Sequence, residues 1–390
     1  MNILAITADW AENVWVIYVH QKASWPQLKW NDAKLLPLLA NVRHQQGRLL
    51  GRMEGLGFRL RAEANLTTLT TDVIKSSAIE GELLDAAQVR SSIARRLGLD
   101  VAGNVKVGRD VEGVVEMMLD ATQKYAEPLT AERLFAWHAS LFPTGRSGLR
   151  RITVGAWRTA EIGPMQVVSG PIGREKVHFE APAANRLDHE VSAFLDWFEK
   201  ANVIDPVLKA GVAHFWFVTI HPFEDGNGRI SRAIADMALA RAEGTSERFY
   251  SMSMQIEAEK KQYYLNLEQS QKGEVDITSW LEWFLGCLGR AVAGAESGLA
   301  NVLRKAKVWE RINSQAQVNE RQRKVINRLL DGFEGKLSTS KYSKLAKCSG
   351  DTALRDIKNL VEQGILIRDT GGGRNTSYHL AEPENRKNKV

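Results

Sequence analysis

Two apolar segments dominate the middle of the chain. Val207 to Ile220 is apolar almost without a break, the pattern of a helix buried on every side. A short glycine-rich stretch follows, and Ile230 to Glu243 then reads as a second helix. Upstream, Leu35, Leu36, Leu38, Leu39 and Val42 keep a helical period behind Asn31 or Asp32 as N-cap. Trp25 and Trp30 precede them as expected core anchors. Phe58 to Ala87, Arg109 to Tyr125, Thr130 to Leu141 and Leu187 to Ala201 read as further helices, as do Glu257 to Ser270, Ile277 to Leu288 and Ala291 to Ile312. Alternation marks only a few places. Val14 to His20 alternates in part, as a short strand would. Val167, Val168 and Val177 to Phe179 flank the turn Ser169 to Arg174, which predicts a hairpin. Gly145 to Gly163 reads as loop, and no internal repeat is visible. The pattern therefore predicts a mainly α protein with a small β-hairpin.

The end of the chain has its own pattern. Val325, Ile326, Leu329 and Leu330 mark one amphipathic helix, Ser338 to Lys347 a second, and Asp351 to Gln363 a third with Leu354, Ile357, Leu360 and Val361 inward. Two short β runs, 365–367 and 377–380, then flank a Gly371 to Arg374 tip. Three helices and a β wing resemble a winged helix. Charge sharpens this reading. The net charge is +6, and from Val318 onward there are 15 Lys/Arg against 9 Asp/Glu, so the excess lies here. Thr352, Arg355 and Lys358 on the third helix, with Arg374 at the tip, are the candidate DNA contacts. Such modules also dock proteins or dimerise.

Composition excludes some classes. A hydrophobic fraction of 44% with 25% charged residues is that of a globular protein. Cys287 and Cys348 give neither a disulfide framework nor metal-ligand spacing, which points to a reducing, cytoplasmic setting. Met1 to Ala8 lacks the basic start of a signal peptide, and the most apolar stretch carries Asp205 and Lys209, so no membrane span is expected.

The chemistry concentrates between the two central helices, in His221-Pro222-Phe223-Glu224-Asp225-Gly226-Asn227-Gly228-Arg229-Ile230-Ser231-Arg232. Gly226 and Gly228 around Asn227 suit a turn whose N–H groups form an anion cradle, reinforced by the positive end of the next helix. Asp225 can offer Mg²⁺ a hard oxygen ligand. Arg229 and Arg232, three apart, are neighbours on one helix face. His221 is the expected general base. Phe223 is the apolar pin of the loop, and Pro222 stiffens it.

These residues meet every fixed position of HxFx(D/E)GNGRxxR, and the chain resembles the Fic family. That resemblance implies a Fic-type helical core and transfer of AMP from ATP, with Mg²⁺, to a Ser, Thr or Tyr hydroxyl of a target protein or of the enzyme itself. Asn227 and the glycine N–H groups would hold phosphate oxygens, Arg229 the β-phosphate region and Arg232 the γ-phosphate. The hairpin corresponds to the family's flap, which pairs with target peptide; Ser169 and Gly170 join the nucleotide-binding set, as do Tyr263 and Tyr264 near adenine. Ser76-x-x-x-Glu80-Gly81 matches the family's inhibitory motif, so Glu80 is expected to occupy Arg232. The expected organisation is an N-terminal Fic-associated module over 1–60 and an inhibitory helix region over 61–100. The catalytic core would cover 101–290 with the flap near 166–180, followed by a helical linker over 291–317 and a winged helix over 318–390. Removal of AMP, another nucleotide donor, and a DNA-binding regulator with the core as sensor are the alternatives. Oligomeric state is left open, a homodimer included.

Overall fold

The structure, a computed structural model, describes residues 17–99, 105–171, 174, 176–201, 204–315, 317–330, 333, 335–369 and 376–381. Two compact units divide between Glu296 and Ser297. Both are mainly helical, and each sheet among the described residues is a single antiparallel pair of strands.

In the first unit, α1 (Asp32–Glu54) starts at Asn31, whose side chain accepts the Lys34 N–H. α2 (Phe58–Ile79), α3 (Ala86–Arg96), α4 (Arg109–Gln123) and α5 (Ala131–Leu141) follow. The small pair β1 (Arg146–Ser147) and β2 (Arg150–Arg151) interrupts the stretch expected to be loop. The hairpin is β3 (Gln166–Ser169) with β4 (Lys176–Glu180), bulged between Val167 and Val168. α6 (Leu187–Glu199) leads to α7 (Pro206–Ile220), where Asp205 caps the Val207 N–H and every residue from Ala210 on is buried. α8 (Asn227–Glu243) packs along α7. The helix expected over Glu257 to Ser270 is broken at Glu259 into α9 (Met252–Ala258) and α10 (Lys260–Gln271). The closing helix and the linker, read separately above, are one element, α11 (Thr278–Gln315). The described part of the expected Val14–His20 strand is extended chain entering a 3₁₀ turn at Val19. The core between α7 and its neighbours is aromatic: Phe194, Phe215, Phe217, Trp280 and Phe284 are all buried. α7 and α8 pack along one another, and both flank the motif.

In the second unit, α12 (Glu320–Leu330), α13 (Thr339–Ala346) and α14 (Gly350–Glu362) precede the pair β5 (Leu366–Arg368) and β6 (Tyr378–Leu380). This is the expected winged-helix order. Val325, Ile326, Tyr342, Ile357, Leu360 and Leu366 form its core with Val308 and Ile312 of α11. Leu354 is an exception to the expected inward set. It is 39% exposed, and the small Ala353 faces the core in its place. Arg355 and Lys358 are exposed on α14. Thr352 is half-buried at the start of that helix, its hydroxyl 2.9 Å from that of the N-cap Ser349. Arg374 and the glycine tip lie outside the described residues.

Candidate active site

The central motif folds as a tight corner. α7 ends when His221 takes the left-handed conformation, φ 51°, and donates its N–H to Phe217 C=O. Phe223 then enters the core, stacked on His138 with ring centroids 4.1 Å apart. Gly226 supplies the second left-handed step, φ 80°, and is the N-cap of α8. α8 therefore starts at Asn227, three residues earlier than the apolar pattern suggested. The polar first turn carries no hydrophobic signal. The first intrahelical bond runs from Ile230 N–H to Gly226 C=O, so the N–H groups of Asn227, Gly228 and Arg229 have no acceptor within the helix.

Two expectations need correcting here. The Asn227 side chain is spent on the corner itself: Oδ1 accepts the Phe223 N–H at 3.0 Å and Nδ2 donates to Phe223 C=O at 2.8 Å. It braces the turn and is not aimed outward. Gly228 is helical, and its need for glycine is one of space. A Cβ there would lie 2.2 Å from Glu80 Oε1.

Arg232 is 2% exposed. Its Nε donates to Ser76 Oγ at 3.0 Å, and its Nη2 donates to Ser76 C=O at 2.9 Å and to Glu80 Oε1 at 2.8 Å. Glu80 is the C-cap of α2, and Gly81 follows with φ 85°. Burial works against the Arg232 charge, yet Glu80 holds its pKa above the ordinary value. Among the described residues, no hydrogen-bond partner reaches the buried Arg232 Nη1. Arg229 is equally buried, lies over the Phe142 ring at 5.2 Å, and donates from Nη1 to Glu82 Oε2 at 2.5 Å. Burial raises the Glu82 carboxyl above its usual range, with Arg229 opposing.

His221 is half-buried, with Nδ1 3.2 Å from Val218 C=O. Only a protonated Nδ1 satisfies that carbonyl, so the neutral ring keeps its lone pair on Nε2. Burial pushes the imidazole pKa down to about 4; the nearby Arg158 charge adds to this, while the Val218 bond, Glu80 and Asp225 oppose it. The ring is neutral at pH 7. Asp225 accepts from the Gly226 N–H at 2.6 Å and from the Ser147 hydroxyl.

His221, Asp225, Gly226, Asn227, Gly228 and Glu80 line a cavity of about 760 Å³, which the hairpin borders through Gln166 to Ser169 and His178. Ser169 thus reaches the cavity, and Gly170 does not line it. The two tyrosines separate: Tyr263 is buried with its hydroxyl 3.0 Å from His214 Nε2, while Tyr264 is 40% exposed. Both border the cavity. His178 sits between Ser169 Oγ at 2.6 Å and Glu268 Oε2 at 2.8 Å and connects the hairpin to α10.

The corner lies within a segment that matches a known family. Residues 128–239 match the Fic/DOC family. The chain carries a Fic domain. Residues 18–99 match a domain of unknown function, DUF4172, and 321–377 a DeoR-like helix-turn-helix domain. A protein adenylyltransferase Fic of Drosophila mojavensis is 26% identical over 221 residues, 55% of this chain and 39% of that protein. Protein adenylyltransferase fic-1 of Caenorhabditis briggsae is 22% identical over 261 residues, 63% of this chain and 47% of that one. The chain thus spans less than half the length of these relatives. The crystal structure of a Fic family protein from Desulfovibrio desulfuricans G20 shares the fold, with a TM-score of 0.50 at 23% identity, over 90% of this chain and 98% of that one.

The Fic domain holds His221 to Arg232, while Glu80 and Glu82 reach it from the DUF4172 match. The site suits a polyphosphate. Among the described residues, Arg232 Nη1 lacks an acceptor, and the N-terminal turn of α8 at Gly226 to Gly228 borders the cavity. Asp225 is the carboxylate at this corner that could offer a divalent cation an oxygen ligand. Among the described residues no three His, Cys, Asp or Glu converge. Sequence reasoning missed Glu82, Arg158, His178 and Glu268. Of these only Glu82, an acid two residues past Glu80, had a signal that could have been read.

Proposed function

We propose that this protein is a protein adenylyltransferase, moving AMP from ATP to a Ser, Thr or Tyr hydroxyl of a target or of itself, with its resting form held off by Glu80. The observation that supports this most is the placement of His221. A neutral imidazole of one tautomer lines the same cavity as the N-terminus of α8. The target oxygen attacks the α-phosphorus as Nε2 takes the hydroxyl proton. The bond from that phosphorus to the bridging oxygen breaks, and diphosphate leaves. The first-turn N–H groups of α8 and the Arg232 guanidinium bind and orient the phosphate oxygens. Mg²⁺, held by Asp225, would supply charge neutralisation on the phosphates. The hairpin offers a free strand edge for a target segment, a mode of recognition that is largely blind to sequence. With Glu80 on Nη2, Arg232 cannot fully serve the γ-phosphate, so ATP sits with its α-phosphate displaced. Glu82 holds Arg229 in the same way. Intact-mass analysis of Glu80→Gly with Mg²⁺ and each nucleoside triphosphate tests the reading. A gain of one adenylyl group with ATP supports it. No gain with any triphosphate overturns it, and a gain only with another triphosphate names a different donor.

The low His221 pKa has a direct consequence. The base works when deprotonated, so activity is present above its pKa and lost as pH falls through it. Because Glu80 raises the imidazole pKa, for Glu80→Gly the acid limb of the pH–rate profile should lie at about pH 4 or lower, well below the ordinary imidazole range. A limb near 6.5 would contradict the assigned environment.

For the second unit we propose duplex DNA binding, on the exposed Arg355 and Lys358 of α14 and the local positive excess. Binding by the full chain should weaken steeply with salt. Arg355→Ala and Lys358→Ala should each reduce the log–log salt slope by about one. Retention that is indifferent to salt would rule this out.

A further inference from the structure

We infer that Arg158 is a positioning residue, holding the catalytic corner and the base of the hairpin at a fixed separation. The inference rests on the transfer reading above.

Arg158 is 3% exposed, and its donors go to backbone carbonyls of two separate segments. Its own N–H donates to Pro222 C=O at 2.9 Å, and Nε donates to His221 C=O at 2.8 Å. Both ends of the His221–Pro222 step are thereby gripped. At the far side of the same guanidinium, Nη2 donates to Pro182 C=O at 2.5 Å. Pro182 lies two residues beyond β4, where Ala181 N–H closes the hairpin base onto Met165 C=O at 2.9 Å. One planar group thus spans from the residue that removes the proton to the base of the strand pair that would present the hydroxyl.

The cost of this arrangement argues against simple packing. No ion pair to Arg158 is found among the described residues, and burial lowers its pKa to about 10. A desolvated cation held by carbonyls alone is expensive, and an apolar side chain would fill the space more cheaply. What the arginine supplies is a rigid fork with fixed donor directions. His221 needs such a grip. It is a non-glycine residue with positive φ, a conformation that persists only when its surroundings impose it. A displacement of about 1 Å at a reacting group can cost a hundredfold in rate.

The test uses full-length Glu80→Gly protein carrying Arg158→Lys or Arg158→Gln. Both should lose about a hundredfold in kcat while KM for ATP and ATP affinity stay within about twofold. Lysine keeps the charge and the backbone bond to Pro222 C=O, but its single nitrogen lacks the fork that bonds His221 C=O and Pro182 C=O together, so it should not rescue the rate. The charge is read separately by NMR titration of the His221 imidazole, identified as the signal missing from His221→Ala. The groups acting on that ring are Val218 C=O, Arg158, Glu80 and Asp225; Glu80 is absent from every variant compared. The His221 pKa should rise in Arg158→Gln and stay low in Arg158→Lys. A kcat for Glu80→Gly/Arg158→Lys equal to that of the Glu80→Gly parent, or equal loss of ATP affinity and kcat, overturns the positioning role. If Arg158→Gln does not fold, Arg158→Lys decides by the same rate criterion. Should the Glu80→Gly parent transfer nothing, the transfer reading fails on its own, and an unchanged His221 titration would still refute the contact's effect on the base.

Discussion

Glu80→Gly should raise incorporation of labelled AMP by about a hundredfold, the scale set by restoring alignment of a displaced reacting group. The route is one shared guanidinium. Arg232 Nη2 is held by Glu80 and by Ser76 C=O, and Nη1 has no partner among the described residues. Removing the carboxylate frees the stronger, charge-assisted contact for the γ-phosphate and takes away a negative charge facing an anion. Arg232→Ala also breaks the pair but deletes the phosphate contact, so it should not activate, and neither should the double variant Glu80→Gly/Arg232→Ala. That asymmetry separates inhibition through Arg232 from mere loosening of α2. The second acidic contact adds a further arm. Glu80→Gly/Glu82→Gln should exceed Glu80→Gly by a few-fold, because Arg229 is released from its 2.5 Å partner. Parity of Glu80→Gly with the unaltered protein sinks the inhibitory model; activation by Arg232→Ala sinks the mechanism.

His221→Ala should lower transfer by about a hundred- to ten-thousandfold, the usual contribution of a general base, while ATP affinity changes little. The ring accepts a proton from the target and touches no phosphate in the proposed step. Because His221 also ends α7 in a left-handed conformation, alanine adds local strain there. His221→Asn, which tolerates that conformation, is therefore the control and should be equally inactive. Transfer by His221→Asn at the parental rate would remove the residue from the chemistry. Loss of ATP binding in both variants would make it a nucleotide-binding residue instead.

Much of the site was legible because its parts are close in sequence. The corner from His221 to Arg232 is constrained locally: one left-handed residue, one left-handed glycine, and an arginine pair one helical turn apart. The hairpin was equally legible, since valines and a phenylalanine alternate around a glycine-bearing turn. The winged-helix order followed from periodicity, and only Leu354 was misplaced, because a heptad-like pattern does not show that a neighbouring alanine fits better under a close helix.

What the chain determined by itself, then, was the elements and the corner from His221 to Arg232, where we propose the base and the anion site. Tertiary structure decided who meets whom. Arg232 and Glu80 are 152 positions apart, and Arg229 and Glu82 are 147 apart. Two acids near two arginines in sequence space allow several pairings, and only the packing of α2 across the start of α8 selects these. Packing likewise turned Asn227 inward to brace its own loop and separated Tyr263 from Tyr264 by burying one. It also carried Arg158 to the three carbonyls that no periodicity announces. Local rules act through dihedral preference and side-chain spacing over a few residues. A buried charge finds its partners only once the surrounding helices have excluded water.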